Sequence, residues 1–265
     1  MAFNPSTDFS VAPSPVASVV LTRYDPVSWP SFAVIFDPPS PDNPLQSLAQ
    51  HAEEADRSAV MENRGERDIT ALCYRWVTTT ENGEPLRHTF SSDSYGASVY
   101  HPVLKSQDRK LITRSMTVDE SLIVHVLHGG GCMSGSVGST RRIDGVVSLR
   151  LEIDMALFAD GEIAGPDVNR HAAQLQFRKR AGDFIVKQVR LAQSEQRDVA
   201  PVLAALAEMP RMRDDHLARW TPDYVGDYAG EYLRFSAMGR QEAFLQALEN
   251  RPPLPKFYRR EASST

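Results

Sequence analysis

VVSLRLEIDMALF, residues 146–158, is the stretch whose reading decides the fold. Apolar and polar side chains alternate along it. Val147, Leu149, Leu151, Ile153 and Met155 fall on one face, and Ser148, Arg150, Glu152 and Asp154 fall on the other. Successive side chains of a strand point to opposite sides, so the pattern predicts a long strand with one buried and one wet face. Asp160-Gly161 supplies the turn that follows. Gly165-Pro166-Asp167 closes the strand region, with Asp167 placed as a helix N-cap.

Upstream, the same reasoning finds more strands. Residues 58–62 and 69–78 are short runs separated by the turn Asn63-Arg64-Gly65-Glu66-Arg67-Asp68. In the second run Leu72, Tyr74 and Trp76 share a face and are expected in the core. Glu81-Asn82-Gly83-Glu84 is an Asn-Gly hairpin signal, with residues 86–91 as the return strand. Residues 110–113 are a further short strand. Residues 117–128 leave helix or strand open. Thr117-Val118-Asp119-Glu120 has the form of a capping box, and Leu122, Ile123, Val126 and Leu127 recur at helical spacing, which favours a short helix ended by Gly129. The β-branched content favours a strand.

Half of the 18 prolines lie at or before Pro44. Proline fixes φ and removes a donor, so residues 1–57 are read as an extended arm. Two short strands, 16–21 and 31–36, are expected to lie along edges of the body. After Asp167 the period changes. Phe177, Ala181, Phe184, Ile185, Gln188 and Ala192 trace a helical stripe beside a basic strip that includes Arg178, Lys179 and Arg180. Asp198 caps a short helix with Pro201 in its first turn and Val202, Leu203 and Leu206 inward. Thr221-Pro222 opens a third helix carrying Tyr224, Tyr228 and Tyr232 four apart, and residues 243–248 continue or restart it. Strands followed by helices is the α+β order, not the alternation of a doubly wound sheet.

Asn63 to Leu72, followed by Arg75-Trp76, resembles a pattern of bacterial immunoglobulin-like or fibronectin-like sandwich domains, in which an apolar strand, a polar turn and an I-x-A strand recur near the domain start. Residues 146–167, with Phe158-Ala159-Asp160-Gly161, resemble the closing hairpin of such proteins. The Cys…Trp…Cys pattern of antibody domains is absent, because Trp76 follows Cys73 too closely. The resemblance implies a fold and carries no catalytic residue. The expected architecture is therefore α+β, an antiparallel immunoglobulin-like β-sandwich followed by a C-terminal helical region. Its expected parts are a proline-rich arm at 1–57, the sandwich at 58–168, a helical extension at 169–250 and a disordered tail at 251–265.

The formal net charge is −5, with the acidic excess before residue 169 and a mild basic excess after it. No global basic field points to nucleic acid, and the basic strip lacks interleaved aromatics for stacking bases. A solvated face or a docking surface is the plainer reading of Arg178 and Lys179. No apolar run has the length of a membrane span, and no basic n-region precedes the first apolar residues. The chain thus reads as cytoplasmic, or as exported if an upstream leader has been removed. Cys73 and Cys132 have no metal-ligand spacing, and their pairing stays open. No metal site or cofactor is expected.

The stretch HVLHGGGCMSGSVGST, residues 125–140, contains the His128-Gly129-Gly130-Gly131 tetrad found beside the oxyanion hole of lipases and esterases. Ser134 or Ser136 would be the nucleophile. The G-x-S-x-G elbow that would expose such a serine is missing, so a Gly/Ser loop explains the composition more simply. The P-loop lysine is missing too. Tyr224, Tyr228 and Tyr232 are read as core packing or, with Arg178 and Lys179, as an interaction surface. The function expected from these residues is non-catalytic: a protein-binding or assembly module acting on a protein partner or on itself. A serine hydrolase built on the 128–131 loop is the alternative.

Overall fold

The computed structural model describes residues 8–36, 55–83, 85–95, 101–114, 117–120, 146–208 and 216–260. The fold is mixed α+β, with two sheets and, among the described residues, four α-helices in the C-terminal part. The chain divides into two compact units. The strand unit comprises Met1–Ser92, Pro102–Asp167 and Arg259–Thr265, and the helical unit comprises Asp93–His101 and Val168–Tyr258.

The strands are β1 (Asp8–Val11), β2 (Val19–Arg23), β3 (Ala59–Asn63), β4 (Ile69–Thr80), β5 (Pro85–Asp93), β6 (Arg109–Ile112), β7 (Thr117–Asp119), β8 (Val146–Phe158) and β9 (Ile163–Ala164). One sheet has the order β1-β8-β4-β5, with β9 on β8; the other has the order β2-β3-β6-β7. The opening stretch of sequence is β8, at the centre of the first sheet. It pairs antiparallel with β4 from Ile69↔Phe158 to Thr80↔Val146, with three register shifts, and parallel with β1.

Both sheets contribute to one apolar cluster. Phe9, Leu72, Trp76, Leu149 and Leu151 come from the first sheet, and Val19, Ala59, Met61 and Ile112 from the second. Trp76 is its largest side chain and meets Phe9 at 5.7 Å between ring centroids. Strand alternation sends Val60, Leu111 and Val118 to the opposite side of the second sheet, where Tyr24, Phe32 and Ile35 cover them.

Several expectations need correction. Residues 31–36 are not a strand: Pro30–Ile35 is a 3-10 helix with proline in its first turn, and its i, i+3 spacing buries Phe32 and Ile35 together. Of residues 117–128, Thr117–Asp119 is β7, paired with β6 through Ile112↔Thr117 and Leu111↔Val118, Glu120 is helical, and residues 121–128 lie outside the described residues. On β8 the alternation holds from Leu149 to Ile153, but Val147 is exposed and Asp154 is fully buried. In the stretch read as a tail, Arg259 donates to the Gly165 carbonyl at 2.6 Å and Arg260 meets Glu162 at 2.9 Å, while residues 261–265 lie outside the described residues.

The helices are α1 (His171–Ser194), α2 (Ala200–Ala207), α3 (His216–Ala237) and α4 (Gln241–Glu249). Asp167 does not cap α1; Arg170, in the left-handed region at φ 52°, occupies that position. The buried stripe of α1 runs through Leu175, Ala181, Ile185, Val189 and Ala192, while Phe184 is exposed. On α2, Leu203 is buried and Val202 is exposed; Asp198 accepts the Ala200 N–H at 2.9 Å. The third helix begins at His216, ahead of Thr221-Pro222. Ala181, Ile185, Val189, Leu203, Ala229 and Leu245 form the helical core.

An ion network ties α1 to α4. Arg190 donates to Glu242 at 2.8 and 3.0 Å and to Glu249 at 2.8 and 2.9 Å. These hydrogen bonds hold both carboxyls below their ordinary value. A carboxylate lowered in the folded state stabilises it above the unfolded value, near 4.5, and that stability is lost as pH falls through the folded value. Acid unfolding of the helical unit is therefore expected to begin below pH 4.5. Arg190→Met should flatten this pH dependence, as read by far-ultraviolet circular dichroism.

Candidate functional site

Of the residues singled out by sequence, Arg178, Lys179, Tyr224 and Tyr228 come together in the helical unit. Arg178 lies on α1 three residues from each of the buried Leu175 and Ala181, in line with the buried stripe, and its side chain is partly buried. Its Nη1 donates to Asp93 at 2.7 Å. Asp93 comes from the far end of β5, 85 residues away, and its carboxylate also accepts the Tyr95 N–H at 2.9 Å. Burial opposes the charge of Arg178, but Asp93 and the Tyr228 hydroxyl outweigh that and hold the guanidinium above its ordinary value. Arg178 also lies over the Tyr224 ring at 6.0 Å.

Arg251 approaches from the chain just after α4. Its Nη1 donates to the Tyr228 hydroxyl at 2.7 Å, and its guanidinium carbon lies 4.9 Å from the centre of that ring. Gly182 makes room for it. A Cβ at residue 182 would meet Arg251 Nη1 at 3.2 Å, Leu248 Cδ2 at 3.6 Å and Tyr228 Cε2 at 3.8 Å. Glycine inside a helix costs about 1 kcal/mol relative to alanine, so the position gives up helix stability where the guanidinium passes.

Asp93, Tyr95, Leu175, Arg178, Lys179 and Arg251 line a cavity of about 10 Å³, the space of roughly one water. Lys179 at its rim is paired with Asp183 one turn along α1. Arg178 has Asp93. Arg251 forms no ion pair among the described residues, and its Nε is buried without a hydrogen-bond acceptor. Among the described residues, the Arg251 guanidinium thus has the Tyr228 hydroxyl as its side-chain acceptor and no carboxylate. The cavity can accept an oxygen anion at the end of a side chain, and it has no room for a cofactor-sized ligand.

Tyr224 is half-buried beside Arg178, and burial pushes its phenol up to about 12, so it is neutral and able to donate at physiological pH. Tyr228 is buried with its hydroxyl between the two arginines. Tyr232 is buried in the helical core against Phe244, at 6.4 Å between ring centroids, and does not reach the cavity. Sequence reasoning singled out Arg178, Lys179, Tyr224 and Tyr228 but passed over Arg251, Asp93 and Tyr95. The one available signal for Arg251 was a basic residue directly after an apolar helix ending at Glu249, where a cation is favoured.

His128, Ser134 and Ser136 lie outside the described residues, as does Cys132. Cys73 is buried, and its thiol donates to Asp154 at 3.8 Å. No group of three or more His, Cys, Asp or Glu side chains among the described residues is placed to hold a metal ion. No helix among them is long and apolar enough to cross a membrane. The chain matches no protein-family model, no curated protein and no solved structure.

Proposed function

We propose that this protein is a non-catalytic protein-binding module whose helical unit receives a carboxylate of an acidic partner at the Arg178–Lys179–Arg251 cavity. Its strand unit is a β-sandwich of the immunoglobulin-like kind that acts as scaffold. The shared apolar cluster of the two sheets supports the sandwich reading, since inner faces of packed sheets interdigitate in this way.

The observation that carries the binding reading is Arg251. A guanidinium held by a tyrosine, beside a second arginine and a lysine, presents donors in a fixed fork, the geometry that suits a carboxylate. The ring stack and the hydroxyl contact hold it in place before any ligand arrives, which lowers the ordering cost of binding.

The test is fluorescence anisotropy with a glutamate-rich peptide and its glutamine counterpart, on the full chain and on Arg251→Met. Methionine keeps much of the apolar stem and removes the charge. Hydrogen bonds to charged groups contribute about 1.5–3 kcal/mol, so loss of the guanidinium should weaken the glutamate peptide about 10- to 100-fold. Equal affinity for the two peptides, or equal affinity of the two proteins, would sink the reading.

A further inference from the structure

The strand unit carries a second candidate surface, residues 85–91 of β5. In the order β1-β8-β4-β5, the strand β5 has a neighbour on one side only among the described residues. It runs for nine residues, Pro85–Asp93, and seven of them are exposed. The other sheet-terminal strands are far shorter: β1 has four residues, β2 five and β7 three. Short edges are a common protection against strand addition. Beyond Pro85 at its first position, β5 has no proline, and it has no lysine.

We propose that β5 pairs antiparallel with β5 of a second copy of this chain, with the two-fold axis passing through His88. The strand's own pattern selects this occupant. Leu86, His88 and Phe90 share a face by period 2. Phe90 stacks on Tyr74 at 5.3 Å with 10° between rings, and His88 packs edge-on against Phe90 at 4.7 Å. The apolar layer of the sheet therefore continues out to the edge, where Leu86 is 45% exposed.

Pairing about His88 sets Leu86 opposite Phe90 of the second copy, twice, and extends that layer across the axis. On the other face Arg87 meets Thr89, so no like charges of the strand's Arg and Asp residues stand opposite each other. A two-fold axis at Thr89 would instead set Leu86 opposite Ser92 and lose both apolar pairs. Seven residues, 85–91, pair in the favoured register over about 23 Å. Such an isologous contact closes on itself as a dimer and leaves no free edge of β5.

The test combines sedimentation velocity with a cross-link on the full chain. The unaltered protein should show a concentration-dependent monomer–dimer equilibrium. Leu86→Lys, which places a charge on the edge, should weaken it at least tenfold. His88→Cys brings two thiols into directly opposed positions, where strand Cα atoms lie about 4.5–5.5 Å apart, within disulfide range. It should form a covalent dimer under mild oxidation where the parent and Ser92→Cys do not. A monomer at every concentration would overturn the proposal. A dimer unaffected by Leu86→Lys, with no cross-link at residue 88, would overturn it equally. Arg251→Met leaves this equilibrium unchanged, so failure of the edge pairing and failure of the carboxylate site are separately visible.

Discussion

Gly165→Ala is expected to destabilise the strand unit by about 3 kcal/mol or more, summing a backbone term and a contact term. Gly165 has φ +91°, where an L side chain is strained, and such a residue costs on the order of 1–3 kcal/mol. Its Cβ would also stand 2.6 Å from the carbonyl oxygen of Asp154 and 3.3 Å from the Cα of Met155. Both neighbours are backbone of β8 and cannot swing aside, and overpacking of this kind adds about 1–3 kcal/mol. The same carbonyl accepts the Asp167 N–H at 2.9 Å, so pushing the chain away breaks a hydrogen bond as well. Gly83→Ala is the matched control. Gly83 has φ +79° but nothing within 4 Å of its Cβ site, so it carries the backbone term alone. Urea unfolding of the two variants should differ by at least about 1 kcal/mol, with Gly165→Ala the weaker. Indistinguishable midpoints would mean that the chain after β9 yields freely.

The contrast between those two glycines shows what sequence encodes and what it does not. Both sit in turn sequences, Asn82-Gly83 and Gly165-Pro166, and both were legible as turns. Nothing local says that one is open and the other pressed against a strand. The same holds for larger elements. β4, β5 and β8 were legible because each is long, alternating and flanked by turn residues. β1 was not, since four residues with Phe9 and Val11 as its apolar members give no period to detect, and its pairing with β8 is parallel and distant. The 3-10 helix of Pro30–Ile35 shares its β-branched and aromatic content with a strand, and its neighbours across the second sheet decided the outcome.

The candidate site divides in the same way. Arg178, Lys179, Tyr224 and Tyr228 stood out through helical spacing and side-chain chemistry. Asp93 and Tyr95 approach from the end of β5, and Arg251 from a proline-rich stretch that reads as a tail. Contacts across 85 residues of chain leave no trace in a local pattern. Phe184 is the converse: its spacing places it near the stripe of α1, yet Gly182 and Ile185 take the inward positions and Phe184 stays 41% exposed.

Asp154 is where reading by alternation fails most consequentially, and its replacement carries the second large expected effect. The period of β8 puts it on the wet face with Arg150 and Glu152, yet it is fully buried. β9 pairs with β8 at Ala156 and Leu157, just beyond it, and the chain at Gly165 and Asp167 closes over its backbone. One carboxylate oxygen lies 3.5 Å from Arg75 Nη1 and the other accepts the Cys73 thiol at 3.8 Å. Arg75 in turn holds Glu152 at 3.0 Å, and Glu152 reaches Arg150. Removing one member of a buried pair leaves its partner desolvated and typically costs about 3–5 kcal/mol, whereas replacing both by apolar groups is often neutral or stabilising. Asp154→Leu is therefore expected to lose about 3 kcal/mol or more, and Arg75→Met a comparable amount. The Arg75→Met/Asp154→Leu double variant should recover most of the loss, which gives a coupling of at least 1 kcal/mol in a urea-unfolding cycle. Additive losses would show that Glu152 alone satisfies Arg75 and that Asp154 is held by its other neighbours. A stable double variant would also show that the central strands do not need this charge to choose their register, so that β4 and β8 are aligned by Trp76, Leu149 and Leu151 in the shared core.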